Sequence, residues 1–140
     1  MTRAGRGLLD TSVVIALERL DDARVLPGVP IISAITLAEL TVGPLVAPAG
    51  ERSARLRHVQ TVESDSDPVP FDAAAARAFG QVAASLRRSG RTASARTCDA
   101  MIAAVALANG LPLYSCNPRD FDGIDGLVVI PVPVPHAPEP

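Results

Sequence analysis

Short apolar runs without polar alternation recur along this chain, and longer segments with helical spacing of apolar residues lie between them. A strand that is apolar on both sides must be covered on both faces. The alternation therefore predicts an α/β domain, a mostly parallel central sheet of about five strands flanked by helices on either side. The expected strands are Arg6–Leu9, Val29–Ser33, Val69–Phe71, Pro112–Ser115 and Leu127–Ile130. The expected helices are Val13–Leu20, capped by Thr11 or Ser12, then Thr36 to a stop at Gly43-Pro44, then Glu51–Val62 and Ala73–Arg88. The last, Cys98–Asn109, is capped by Thr97 and ended by Gly110. In such sheets a site forms in the crevice beyond the strand C-terminal ends.

The size suits one domain: 140 residues, 48 % of them hydrophobic, which is enough to bury a core. Residues 1–130 are expected to form it, and 131–140, with prolines at 131, 133, 135, 138 and 140, a proline-rich C-terminal tail. The net charge of -2 excludes a protein that coats itself with nucleic acid by electrostatics alone. Arginines are nevertheless grouped, at Arg52, Arg55 and Arg57 and again at Arg87, Arg88, Arg91 and Arg96. The longest apolar run, Ala100–Ala108, is too short to span a membrane. No targeting segment is evident, and Cys98 and Cys116 are expected to be reduced in a cytoplasmic protein, although a pair remains open.

Acidic and amide side chains fall at matching places in this architecture. Asp10 ends the first strand. Glu39 lies in the first turn of the helix after the second, and Asp99 in the first turn of the Cys98–Asn109 helix. Asn117 follows the fourth strand, with Asp120 three residues on. The fold would gather them at one sheet edge. Carboxylates so grouped resist joint ionisation, and a hard divalent cation relieves that. The chemistry expected is metal-assisted phosphodiester hydrolysis, the ion orienting the scissile phosphate and activating water.

Local readings compete with this one. Thr36-Leu-Ala-Glu39 fits a capping box, Asp99 favours a helix dipole, Asn117-Pro118 opens turns, and Asp120 can be a loop residue. Asp10 is harder to dismiss, because an acid among Leu8, Leu9, Val13 and Val14 needs a partner. Ser12 or Thr11 beside it can cap the helix or bind a phosphate or a metal-bound water. Arg96 can pair with Asp99 or contact RNA. His58 is expected at the surface. The chain contains no lysine, which excludes a phosphoacceptor receiver domain, and a Cys/His zinc site lacks ligands.

Six stretches resemble the PIN-domain ribonucleases, specifically the VapC-type toxins of type II toxin–antitoxin pairs. They are Leu8-Leu-Asp-Thr-Ser-Val13, Ile35-Thr-Leu-Ala-Glu-Leu40, Arg96-Thr-Cys-Asp-Ala-Met-Ile-Ala-Ala104, Ala108-Asn-Gly-Leu-Pro-Leu113, Asn117-Pro-Arg-Asp-Phe121 and Leu127-Val-Val-Ile130. Their order and spacing extend the likeness from about Gly7 to Pro131. The resemblance puts the family's acids on Asp10, Glu39 and Asp99, its hydroxyl on Ser12, its fourth position on Asn117, and adds Asp120. Cys98 departs from the polar residue many relatives carry there, and a neutral Asn117 weakens a tightly held second metal. The resemblance implies a three-layer PIN-like fold and an endoribonuclease that cuts structured RNA such as tRNA or rRNA. It implies Mg2+ held by Asp10 and Asp99, with Mn2+ able to substitute. It also implies a homodimer inhibited by a cognate VapB-type antitoxin, which alone would contact DNA.

Overall fold

The structure, a computed structural model, describes residues 3–134. Residues 135–140, with His136 and most of the expected proline-rich tail, lie outside the described residues. Four strands, β1 (Arg3–Leu9), β2 (Pro27–Ile32), β3 (Leu113–Ser115) and β4 (Val129–Pro131), form one sheet in the order β2-β1-β3-β4. Every pairing is parallel. The helices are α1 (Thr11–Ala16), α2 (Ala34–Val46), α3 (Arg52–Asp65), α4 (Ala73–Arg88) and α5 (Thr97–Ala108).

Successive side chains on a strand point to opposite faces, and the two apolar faces of this sheet separate on that basis. Leu8 and Leu113 pack with Ala78, Val82, Leu86, Ile102 and Val105 of α4 and α5. Their neighbours Leu9 and Tyr114 pack with Val13, Val14, Leu40, Val59 and Val62 of α1, α2 and α3. The result is the expected three-layer α/β/α arrangement. Gly7 is required by the second face, because a Cβ there would overlap the Tyr114 ring and stand 2.9 Å from Pro27 Cβ.

Among the described residues the sheet has four strands rather than five. The expected strand around Val69 is a single bridge to Ser33, held by Val69 N–H to Ile32 O at 2.9 Å and Ala34 N–H to Val69 O at 2.8 Å. Pro68 and Pro70 flank it and supply no ladder donors. Pro44 does not stop α2, which runs on to Val46. The stop comes from Pro48, which holds Ala47 in an extended conformation (φ -70°, ψ 150°). Gly110, at φ +63°, follows α5 as expected. Thr97 does not cap α5 but begins it, and its hydroxyl turns back to the Ala93 and Ser94 carbonyls. Pro131 closes edge strand β4, and Val132 is buried and donates to Ser115 O at 2.8 Å.

This strand order places the candidate site. The chain leaves β1 to one side for β2 and later returns to the other side for β3. The C-terminal ends of β1 and β3 therefore border a topological switch point, the place where a parallel sheet opens a crevice. Asp10 follows β1, and Asn117 lies just beyond β3.

Candidate active site

Asp10 itself caps α1, in place of the expected Thr11 or Ser12. Its Oδ1 accepts the Val13 N–H at 3.1 Å and the Ser12 hydroxyl. The residue is only 4 % exposed. Among the described residues nothing donates to its Oδ2. Ser12 also accepts the Cys116 N–H at 3.1 Å, so one hydroxyl ties the end of β1 to the chain leaving β3. Asp10 N–H bonds to Tyr114 O at 3.0 Å and completes that junction.

With Asp10 as the cap, the Thr11 hydroxyl is free to donate to Glu39 Oε1 at 2.7 Å. It also lies 3.1 Å from the hydroxyl of Thr36, which is fully buried. Ser33, not Thr36, caps α2, accepting the Thr36 N–H at 3.1 Å. The capping-box reading of Glu39 therefore does not hold, and the acid is oriented across the site by α1.

Asp99 lies in the first turn of α5. Its carboxyl is pushed above the usual carboxylate range by burial first, then by the negative charges of Asp120, Asp10 and Glu39, against the opposing effect of Arg96. The charges of Asp120, Asp10 and Glu39 thus all reach Asp99. Arg96 partly offsets this, with its guanidinium 2.8 Å from Asp120 Oδ1 and 3.7 Å from Asp99 Oδ2. Burial and nearby acids also raise both thiols, Cys98 beside Glu39 and Asp99, and Cys116 beside Asp10. Both cysteines are free.

Asn117 joins the set less closely. Its N–H donates to Ser115 Oγ at 2.9 Å, and its side chain makes no cap to the turn it opens. It shares a cleft with Ser12. Sequence reasoning treated Thr36 only as a cap and did not single out Arg19, which lines that same cleft. His58, expected at the surface, is half-buried and lines a groove with Glu39.

Hard oxygen donors, one of them a buried carboxylate with an uncommitted oxygen, fit a hard divalent ion better than a soft one. Among the described residues no three His, Cys, Asp or Glu side chains close a metal cage by themselves. A magnesium-like ion, which keeps waters and shares substrate oxygens, needs no such cage.

The PIN domain family matches residues 7–127. Ribonuclease VapC5 of Mycobacterium tuberculosis is 37 % identical over 135 residues, covering 94 % of this chain and 96 % of that protein. The tRNA(fMet)-specific endonuclease VapC of Shigella flexneri is 38 % identical over 96 residues, covering 69 % of this chain and 70 % of the relative. A solved VapBC-5 structure, from the VapBC family of toxin–antitoxin systems of Mycobacterium tuberculosis, superposes with a TM-score of 0.78 at 37 % identity. That match covers 91 % of this chain and 98 % of the other. With the motifs and the three-layer sheet in agreement, the chain belongs to the PIN-domain family, among the VapC-type ribonuclease toxins.

Proposed function

We propose that this chain is a magnesium-dependent endoribonuclease that cuts structured RNA such as tRNA or rRNA, and that it acts as the toxin of a toxin–antitoxin pair. The observation that carries the reading is the buried Asp10 carboxylate at the sheet's switch point, one oxygen held by Ser12 and the Val13 amide and the other without a donor among the described residues. A buried carboxylate with an open oxygen, near an Asp99 carboxyl raised by burial and by neighbouring acids, suits a hard divalent cation.

Asp10 and Asp99 would hold Mg2+, with Mn2+ able to substitute, and Glu39, Asn117 and Asp120 would complete the surroundings. When bound, the ion polarises the scissile phosphate and lowers the pKa of attacking water. The chain's own groups fix the geometry. Ser12 and the Val13 amide immobilise one oxygen of Asp10 and leave the other for the ion. Thr11 orients Glu39. Arg96 holds Asp120 and Asp99 side by side and limits their repulsion.

Inhibition by a cognate VapB-type antitoxin is part of the same reading, as is a cytoplasmic location. The groove between α1, α2 and α3, lined by Ile15, Leu40, Pro44 and Val59 with acids Glu18 and Glu39, supports a site for an apolar, basic antitoxin segment. The apolar end of α2, with Val42, Leu45 and Val46 all more than half exposed, supports a homodimer. DNA would be reached only through the antitoxin. Among the described residues no helix is long and apolar enough to cross a membrane. We also propose the division into a nuclease domain, 1–130, and a tail, 131–140, whose first residues Pro131 and Val132 pack back onto that domain.

Cleavage of total bacterial RNA, mapped by its new ends, tests the reading. The wild-type protein should cut at defined sites with Mg2+ or Mn2+ and stop with EDTA. Asp10→Asn and Asp99→Asn should each lose more than about a hundredfold of the rate while staying folded. Metal-dependent cleavage retained by both variants overturns the assignment.

A further inference from the structure

Two clefts flank α1, and Ile15, 60 % exposed, lines both. They differ in charge. In the groove toward α3, Glu18 and Glu39 are acidic, and Arg55 is already paired with Glu51 at 3.0 Å. The other cleft lies between α1 and the chain around the end of β4, and holds about 620 Å3. That is within the span of sites that take small ligands, roughly 300–1,000 Å3. Its polar wall is Ser12, Arg19, Cys116 and Asn117, and its apolar wall includes Ile15 and Val132.

Arg19 is the one charged side chain among the described residues that line this cleft. It is exposed, and among the described residues it makes no ion pair or hydrogen bond. Its charge reaches the inner end, where it favours the Cys116 thiolate against burial and the Asp10 charge. The cleft thus starts at Ser12, which is bonded to Asp10, and carries a free cation beyond it.

We propose that this cleft is the subsite for the RNA strand beside the scissile phosphate, and that Arg19 binds a neighbouring backbone phosphate. The inference rests on the ribonuclease reading above. A polyanion approaching four carboxylates needs positive charge at the adjoining phosphates as well as at the cut. Arg96, the other arginine at the site, is committed to Asp120 and Asp99. Arg19 is not, and a guanidinium presents a fork of donors that matches phosphate oxygens. The apolar wall suits a base face or sugar. Asn117 lines the same cleft, and its side-chain amide, without a hydrogen-bond partner among the described residues, offers the strand a donor and an acceptor. The cleft toward α3, with Glu18 and Glu39 on its wall, repels the same strand.

The test uses the full chain with Asp10→Asn as a non-cleaving parent. Binding of a short, fluorescein-labelled, random-sequence single-stranded RNA is followed by anisotropy in Mg2+ across a sodium chloride series. Adding Arg19→Ala should weaken binding about tenfold. It should also lower the slope of log Kd against log salt by about 0.7, the share of one phosphate on a single strand. Arg19→Lys should restore the slope, because charge is kept, but not all of the affinity. A merely structural role would change affinity without this salt signature. An unchanged titration for Arg19→Ala overturns the subsite while leaving the ribonuclease reading intact. The subsite is equally overturned if Arg19→Ala spares RNA binding but releases the co-purified antitoxin, since the cleft then belongs to the protein partner. A parent that binds no RNA, together with a wild type that cleaves none, overturns both.

Discussion

The hydroxyl of Thr11 donates to Glu39 Oε1 at 2.7 Å and so couples the start of α1 to an acid on α2. The bond exists because Asp10, rather than Thr11, caps the helix. Thr11→Val keeps the shape and removes the donor. Partners that orient groups in metal sites are worth about 10- to 100-fold in activity, and RNA cleavage by Thr11→Val should fall by about tenfold. Stability should change by about 1 kcal/mol or less. Thr11→Ser should retain most of the rate. A Val variant as fast as wild type in single-turnover cleavage would show that Glu39 needs no such tether.

Ser12 serves two backbone elements with one oxygen, donating to Asp10 and accepting from the Cys116 amide. Ser12→Ala leaves that amide and one carboxylate oxygen short of a partner in a part-buried place. The cost should be about 1–3 kcal/mol in urea unfolding. Exchange of the Cys116 amide proton should accelerate more than that of Leu8, which bonds to Pro112 O elsewhere in the sheet. Uniform acceleration of both would mean that the junction is not locally held by Ser12.

Much of this architecture is legible in the sequence because strand and helix periodicities assign faces without tertiary information. Leu8 and Leu9 point to opposite layers, as a strand apolar on both sides requires. Asp10 at the close of such a strand marks the edge of the proposed site. What remained hidden depends on contacts between distant residues. Asp10, Thr11 and Ser12 are all good caps, and the point where β1 ends decides which one acts. Thr36 and Glu39 form a local capping pattern, but Ser33 occupies the cap and Thr11 takes the acid. The weakness of the Val69 strand was readable from its flanking prolines. The cleft around Arg19 was not, since one wall comes from the chain around the end of β4.

Gly7 and Tyr114 test the packing that supports the site. Gly7→Ala would drive a methyl group into the Tyr114 ring and toward Pro27. Overpacking of this kind costs about 1–3 kcal/mol. In a Tyr114→Ala background the same change should cost much less, giving a coupling energy in a double-mutant cycle. Additive effects on urea midpoints would contradict the close approach.

Asp99 gives a prediction in which stability and function oppose each other. Burial, then Asp120, Asp10 and Glu39, raise its folded-state pKa above the ordinary carboxylate value. The metal-free native state therefore holds a proton on this group more tightly than the unfolded chain does. The associated stability is fully present below the unfolded value, about pH 4, and is lost as pH rises through the raised folded value. At neutral pH the charged Asp99 thus works against folding. Asp99→Asn, assayed in EDTA at pH 7, should be more stable than wild type by about 1 kcal/mol, and the gap should close near pH 4. Excess Mg2+ should narrow or reverse the gap at pH 7, because an ion that binds only the native wild-type site adds its binding free energy to stability. Equal midpoints in EDTA at both pH values would show that the acids do not strain the metal-free fold.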